Sequence, residues 1–414
     1  MARQPSETAT GEALSAAVAD AGRLARDHKL TYIDSMRGVA ILLVIIVHHG
    51  QRFTGLPLVQ TITGLGQIGV QLFFFASAFT LCMSNDQRQQ EPHPTASFFI
   101  RRTFRIAPLY YFGILFYGVL DVAMRILRHQ AVASSYTPVN VGANLLFVHG
   151  FVKSANNSIV PGGWSIGTEM AFYAMFPLLF SAFLSTRRCS ITVRLFCGIL
   201  ASLVLNLVVQ WFASAAAGEP VANNSFMYYN IVNQLPVFLI GMLVYAQVMR
   251  KGRFRQSPAR DIPLFALFMG LAAWLVTVPG SIAPIALPPV AAIAGAFLLN
   301  ILRSRSPRVG LLERIGQLSY SMYIFHFVFA GMVTTAVLRL FGDLPVREAI
   351  LYLPTLALTV GCTMLVAMGS KRLIEDPCID IGKKWIRARD ARPPVADAKP
   401  ASGGLPDDDG REYQ

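Results

Sequence analysis

The sequence predicts an all-α membrane protein, a polytopic helix bundle of about ten transmembrane helices with both termini on the cytoplasmic side. The 414 residues are 54% hydrophobic and 14% charged, whereas a soluble domain carries about 25% charged residues. Apolar runs recur at about the 20-residue length that crosses a bilayer core. Basic residues occupy alternate connections between these runs, which is the pattern of an oriented multi-pass protein.

Each predicted span is an apolar run that ends where charge, proline or glycine returns. The ten predicted spans are 32–53, 64–83, 105–127, 164–184, 195–214, 228–249, 262–279, 284–302, 319–340 and 350–371. The connection 128–163 contains an apolar segment, 141–152, that is too short to cross a bilayer. We expect this segment to be re-entrant or to lie at the membrane interface.

Basic clusters set the orientation of the spans. One cluster, at 101–105, precedes the third span, and others follow the fourth, sixth and eighth spans. Basic connections stay in the cytoplasm, so a cytoplasmic N-terminus places all four clusters inside. We therefore expect a cytoplasmic segment 1–31, a membrane domain 32–377 in a bacterial inner membrane, and a disordered cytoplasmic tail 378–414.

The net charge of +13 would suggest a nucleic-acid partner in a soluble protein. Here the basic residues separate apolar runs, so membrane topology and anionic lipid headgroups account for them. We expect the lipid bilayer as a partner and no nucleic acid. The sequence leaves the oligomeric state open.

The first span carries several ionisable residues, each of which costs at least ~2.5 kcal/mol inside a bilayer and therefore needs a reason. Asp34 and Arg37 are three residues apart and can pair on one helix face, which alone would suit an interfacial anchor. His48 follows Arg37 on the same face, about 16 Å along the axis. We predict an anion-binding role for Arg37 and proton transfer by His48. His49 points elsewhere, and we expect it to be structural.

The fourth span opens with Trp164 and Ser165, and Glu169 follows within its first residues. We expect Glu169 at a depth comparable with that of His48, where a carboxylate would orient an imidazole and raise its basicity. The alternative is that Glu169 stabilises the positive N-terminal end of its own helix. The sequence leaves both interpretations open.

Arg101, Arg102 and Arg105 crowd the start of the third predicted span, just before Pro108. Arginine side chains and helix N-termini both suit phosphate groups. Ordinary charge at the cytoplasmic face of a span would give the same pattern. Phosphate binding is therefore a hypothesis at this point.

Ser319, Tyr320, Tyr323 and His326 lie along the start of the ninth span. Tyrosines three residues apart share a helix face, and the histidine continues that face. Such a stripe can bridge neighbouring helices through its hydroxyl groups, or it can line a pocket. Both remain possible from the sequence.

Taken in order, these motifs resemble the acyltransferase-3 family of membrane acyltransferases, whose members acylate surface polysaccharides, O-antigens, peptidoglycan and some antibiotics. The matching stretches are Arg37 to His48, Gly69–Phe79, Arg101–Tyr111, Trp164–Tyr173, Ser319–His326 and Glu375–Pro377. The family usually has an acidic residue where this chain has Gln71, so we assign Gln71 no acid–base role.

The resemblance implies an enzyme that moves an acyl group, for which we expect acetyl, from cytoplasmic acyl-CoA to a hydroxyl of a cell-surface or lipid-linked glycan. It implies no metal. Its implied catalytic residues are His48 as general base, Glu169 as the partner of His48, and Arg37. The implied donor-binding residues are Arg101, Arg102, Arg105, Tyr323 and His326, and the supporting residues are Asp34, Trp164, Ser165, Ser319 and Tyr320.

Two other functions fit part of the pattern. The same site could acylate a small secreted metabolite, which changes only the acceptor. A secondary transporter or a flippase for a lipid-linked sugar would also bury Arg, His and Glu among ten helices. Such transporters are built from paired repeats with matched broken helices, and we find neither in this sequence.

Overall fold

A computed structural model describes most of the membrane domain. The described residues are 31–53, 55, 57–127, 129, 135–185, 189–217, 225–278, 282–304, 310–341 and 347–391. They form helices and turns without a strand, and ten of the helices are long and apolar enough to cross a membrane. The predicted all-α polytopic bundle is confirmed. The predicted segment 1–31 lies outside the described residues except for its last residue.

The helices follow the predicted spans closely, and the longest of them extend beyond those spans. Their bounds are α1 Thr31–Gly50, α2 Pro57–Gly64, α3 Gly69–Gln87, α4 Pro94–Leu127, α5 Pro138–Leu145, α6 Gly163–Phe180, α7 Ile191–Ala217, α8 Phe226–Tyr229, α9 Ile231–Tyr245, α10 Pro258–Thr277, α11 Ile282–Ser304, α12 Gly310–Gln317, α13 Ser319–Leu340, α14 Arg347–Ser370 and α15 Asp376–Asp390. A 3₁₀ turn joins α2 to α3, and π-helical turns extend α6, α9 and α14.

Successive spans run in opposite directions, so the bundle has two ends. The arginine-rich end holds the start of α4 and residues such as Arg250, which forms an ion pair with Asp86. The opposite end holds the last residues of α1 and the first of α14, where the Glu348 carboxylate accepts a hydrogen bond from the Gly55 backbone. The membrane side of each end stays a prediction from the charge pattern.

Helix α1 occupies the centre of the bundle. It packs against α3, α11, α12, α13 and α14, and Met36, Ile41 and Val44 are among its buried side chains. Helices α7 and α10 instead expose apolar residues such as Trp211 and Trp274. A central helix can carry ionisable side chains that would be costly on a lipid-facing one.

The described part of the connection between α4 and α6 lies at the opposite end of the bundle. Its apolar part forms α5 and a 3₁₀ turn at His149–Phe151, and neither is long enough to cross a membrane. His149 is fully buried against Tyr110, whereas Leu146 and Phe151 stay exposed. Because this segment occupies the rim, the next helix, α6, begins inside the bundle rather than at its surface.

The structure corrects the predicted tail. Residues 378–390, which we expected to be disordered, form most of α15. Pro377 stands in the first turn of this helix, where a missing backbone N–H costs nothing. Gly382 and Ile386 are buried, and they give the helix an apolar face. The average composition of residues 378–414 does not reveal this face, because the residues after the helix are rich in Pro, Gly and Asp. Residues 392–414 lie outside the described residues.

Candidate active site

A cavity with about 640 Å³ of space, part of it open to solvent, lies between α1, α3, α4, α6 and α13. Its walls combine basic, acidic and hydroxyl-bearing side chains with aromatic rings. The lining residues are Arg37, Val70, Phe73, Phe74, Ser77, Arg102, Arg105, Ile106, Ser165, Ile166, Glu169, Tyr173, Ser319, Tyr320 and Tyr323. Eight of the residues that the sequence singled out, Glu169 among them, therefore meet in one chamber.

Three arginines enter the cavity from two helices. Arg37 on α1 donates a hydrogen bond to the Thr80 hydroxyl at 3.2 Å and lies 3.6 Å from the Asp34 carboxylate. Arg102 on α4 lies over the ring of Tyr173, 5.4 Å from its centroid. Among the described residues, neither Arg102 nor Arg105 has a carboxylate within 4.0 Å. The cavity therefore offers positive charge that an anionic ligand can neutralise.

Glu169 lies at the level of the arginines. Its carboxylate accepts hydrogen bonds from the hydroxyls of Ser77, at 2.6 Å, and of Tyr173, at 2.5 Å. The expected contact between Glu169 and His48 is wrong, because His48 makes its contacts elsewhere. Glu169 also lies beyond the first turn of α6, so the alternative role at the helix N-terminus is wrong as well.

The position of α6 explains this correction. Its capping residue Gly162 accepts a hydrogen bond from the Tyr323 hydroxyl at 3.0 Å, so the helix begins beside Tyr323, well inside the bundle. Glu169 follows six residues after Gly163, about 9 Å further inward. That distance takes the carboxylate away from the histidines and into the arginine-lined chamber.

His48 faces a second histidine. Nε2 of His326 lies 3.3 Å from Nδ1 of His48, and Nδ1 of His326 lies 2.7 Å from the Tyr323 carbonyl oxygen. Nδ1 of His48 also lies 2.8 Å from the Val44 carbonyl oxygen. A carbonyl oxygen only accepts hydrogen bonds, so both Nδ1 atoms carry hydrogen. His326 Nε2 is then the acceptor between the two rings.

This arrangement leaves Nε2 of His48 with a free lone pair. No described residue makes a hydrogen bond to that atom, and it is not among the fully enclosed unpaired atoms. An imidazole whose other nitrogen is fixed as an N–H donor has the tautomer of a general base. Phe327 packs on the ring with a centroid distance of 4.2 Å and holds its orientation.

Tyr323 connects the cavity with the histidine pair. Its side chain lines the cavity and accepts a hydrogen bond from the Ser165 hydroxyl at 2.7 Å. Its backbone carbonyl holds His326, one turn further along α13. The path from the arginines to His48 therefore runs along a single face of α13.

Comparison with known proteins agrees with this geometry. The sequence profile of the acyltransferase-3 family, described as an acyltransferase domain, matches residues 30–368. The chain belongs to this family. As a member, it is a membrane acyltransferase, and the transporter alternative is set aside. No solved structure matches the chain.

Relatives of known name share about a quarter of the sequence. Acyltransferase MdmB of Streptomyces mycarofaciens is 28% identical over 331 residues, which cover 72% of this chain and 79% of that protein. The putative membrane-bound transacylase BcsY of Komagataeibacter xylinus is 25% identical, over 71% of each chain. The O-acetyltransferase OatA of Staphylococcus aureus is 23% identical over 86% of this chain but only 58% of its own length.

Five of the candidate residues lie outside the lining of the acyltransferase cavity, and His48 is one of them. Trp164 stacks on Tyr229 with a centroid distance of 4.3 Å, and Asp34 supports Arg37. Arg101 pairs with Glu91 at 2.6 Å in a neighbouring groove. His326, expected to bind the donor, instead contacts His48. We therefore predict that His326 acts beside His48 rather than at the donor.

Sequence reasoning assigned no site role to two polar members of the cavity, Ser77 and Tyr173, although both lie in stretches that match the family. Tyr173 follows Glu169 by four residues, so the two share a helix face and the tyrosine could have been found from that spacing. Ser77 has no such signal, because it comes from α3 and only packing brings it to Glu169. The described residues contain no group of three or more His, Cys, Asp or Glu side chains arranged to hold a metal ion.

Proposed function

We propose that this acyltransferase moves an acetyl group from acetyl-CoA, bound at the arginine-rich end, to a hydroxyl of a cell-surface or lipid-linked glycan at the opposite end. The observation that carries this proposal is the histidine pair next to the arginine-lined cavity. One site holds the cations that an anionic donor needs, and the other holds a base with a free lone pair.

The donor side consists of a basic groove next to the arginine-lined cavity. A groove of about 1020 Å³ adjoins the cavity, and Arg102 and Arg105 line both. Guanidinium groups form strong paired hydrogen bonds to phosphate oxygens. The phosphates of CoA would occupy the groove, while the flexible pantetheine arm would carry the thioester past Arg37 toward Tyr323.

The chemistry next to the cavity needs one proton acceptor. In this proposal His48 Nε2 takes the proton of the acceptor hydroxyl while the oxygen of that hydroxyl attacks the thioester carbonyl carbon. The new ester C–O bond forms, the C–S bond breaks, and the proton passes from the imidazolium to the departing CoA sulfur. A positioned general base contributes roughly 10²–10⁴-fold to such a step.

The choice of acceptor rests on the names of the relatives and on the face of the membrane toward which His48 is expected to lie. The name O-acetyltransferase, carried by OatA, supports transfer of acetyl to a hydroxyl. The basic connections of the chain favour a cytoplasmic arginine-rich end, which places His48 toward the outer face of a bacterial inner membrane. A glycan displayed on that face would meet His48 without crossing the membrane.

Sealed inside-out membrane vesicles test both the reaction and its direction. Acetyl-CoA labelled in the acetyl group and added outside these vesicles reaches only the original cytoplasmic face. We expect label on glycan in the lumen with the wild-type protein and none with His48→Ala. Label recovered only on small secreted molecules would make the metabolite alternative correct, and no transfer at all would refute the proposed donor.

A further inference from the structure

The groove beside the cavity has one wall that lies beyond the matched family domain. Ile379, Lys383, Ile386 and Arg387 of α15 line it opposite the start of α4. The match to the family profile ends at residue 368, and α15 begins at Asp376. The wall therefore lies outside the part of the chain that the family profile matches.

Helix α15 is fixed in place by specific contacts with α4. Gly382 lies against the side chain of Phe104, so close that a Cβ atom there would meet it at 2.9 Å. The ring of Trp385 also packs on Phe104, with a centroid distance of 5.6 Å. Arg389 donates a hydrogen bond of 2.6 Å to the Ser97 hydroxyl. These contacts present the basic face of α15 to the groove.

Helix length explains why a groove exists at this end. Helix α4 has 34 residues, which at ~1.5 Å per residue is about 51 Å. The apolar core of a bilayer is only about 30 Å thick. Helix α4 is therefore longer than the apolar core, and α15 packs against its arginine-rich first turns.

The groove carries far more positive than negative charge. Its ionisable lining residues are Arg88, Glu91, Arg101, Arg102, Arg105, Lys383 and Arg387. Glu91 is the single acidic residue among them, and it is shared by Arg88 and Arg101. Lys383 pairs with Asp380 on its own helix. Within the described part of the chain, Arg102, Arg105 and Arg387 have no carboxylate partner. Cations left uncompensated around a groove indicate an anionic ligand with several charges.

We propose that α15 completes the donor site, with Lys383 and Arg387 binding phosphate groups at the nucleotide end of CoA. This inference rests on the proposed function, since it uses the same donor. The groove and the cavity share Arg102 and Arg105 as lining residues, so a nucleotide held against α15 would lie directly beside the reaction site. Phosphate groups of anionic lipids have the same chemistry, and the test below separates the two sources.

The test compares the double variant K383Q/R387Q with K384Q in detergent micelles without anionic lipid. Lys384 is on the same helix but outside the groove lining, so it controls for loss of charge alone. Loss of two charge-assisted hydrogen bonds to phosphate should raise the KM for acetyl-CoA by about tenfold or more. The kcat of the double variant and both constants of K384Q should stay near wild type.

Dephospho-acetyl-CoA, which lacks the 3′-phosphate, sharpens the assignment. If α15 holds that phosphate, the wild-type enzyme should prefer acetyl-CoA and the double variant should lose most of this preference. An unchanged KM, an equal effect of K384Q, or an effect that appears only in vesicles with anionic lipid would each overturn the inference. The last result would make α15 a headgroup-binding helix.

Direct binding separates this inference from the proposed function. Adenosine 3′,5′-bisphosphate presents the phosphates of CoA near the ribose without the thioester, and calorimetry with the full-length protein measures its affinity. Binding by the wild type that is lost in K383Q/R387Q supports the groove even if no acetyl transfer is found. Equal binding by both proteins removes α15 from the donor site even if acetyl-CoA is the donor.

Discussion

His48 and His49 are neighbours on α1, yet their surroundings differ completely. Both ring nitrogens of His49 have hydrogen-bond partners, with Thr334 at Nδ1 and the Tyr352 carbonyl oxygen and Thr355 at Nε2. The side chain is fully buried between α13 and α14. His48 has partners at Nδ1 alone, and its Nε2 is free among the described residues.

This difference distinguishes a structural histidine from a reactive one. A ring with both nitrogens bonded joins helices and has no free lone pair, as in the interhelical bonds of membrane bundles. A ring with one nitrogen fixed and the other free can accept a proton. Burial alone would have favoured His49, so the pattern of hydrogen bonds is the better guide.

The strongest test of the comparison is His48→Ala. We expect acyl transfer to fall by at least ~10²-fold, because the proton acceptor is lost. Transfer of labelled acetyl from acetyl-CoA, corrected for the amount of folded protein in the membrane, measures the effect. Near-normal transfer by this variant would refute the mechanism without affecting the family assignment.

His326→Ala should have the next largest effect. His48 keeps the Val44 carbonyl as an acceptor for Nδ1–H, so the base survives but loses its second partner. We expect kcat to fall by roughly tenfold and its pH profile to shift, because the partner of a histidine alters its basicity. A lower kcat with an unchanged pH profile would mean that His326 only packs against its neighbours.

Glu169→Gln tests the corrected position of the carboxylate. The amide oxygen can still accept from the hydroxyls of Ser77 and Tyr173, so we expect a loss of less than about tenfold, mainly through the KM for acetyl-CoA. The pH profile of kcat should match the wild type. A shifted profile would restore Glu169 as the partner of His48, against the structure.

The smallest effect on catalysis should come from His49→Ala. Transfer per folded molecule should stay within about threefold of wild type, while loss of its interhelical hydrogen bonds should lower stability by about 1–3 kcal/mol. Thermal unfolding in detergent, measured beside the activity, separates the two effects. If His49→Ala is inactive at normal stability, the two histidines have been assigned the wrong way round.

Much of the fold follows from the sequence because the bilayer imposes strict rules on it. Every backbone polar group must be satisfied within a span, so each apolar run of sufficient length becomes a helix, and all ten are present. Composition was a poorer guide for α15. In this helix Ile386 and Gly382 form a buried face among charged residues. The average composition of residues 378–414 conceals that face.

The candidate site was only partly accessible to sequence reasoning. Arg37, Arg102 and Tyr323 could be selected because an ionisable or hydroxyl-bearing residue in a span needs a partner. Their meeting in one cavity, and the pairing of His48 with His326, depend on how α1, α4 and α13 pack. Spacing along one helix defines a face but not the helix that the face contacts.

The sequence by itself determined the class of the protein, its spans, its family and the residue types of its chemistry, since these follow from hydropathy and from motifs along the chain. Only the tertiary structure decided which partner each group has. Glu169 shows the reason. Its depth depends on where α6 begins, and that point is set by the packing of the connection between α4 and α6 and by the hydrogen bond from Tyr323 to Gly162. Such contacts join residues far apart in the chain, so no local pattern encodes them.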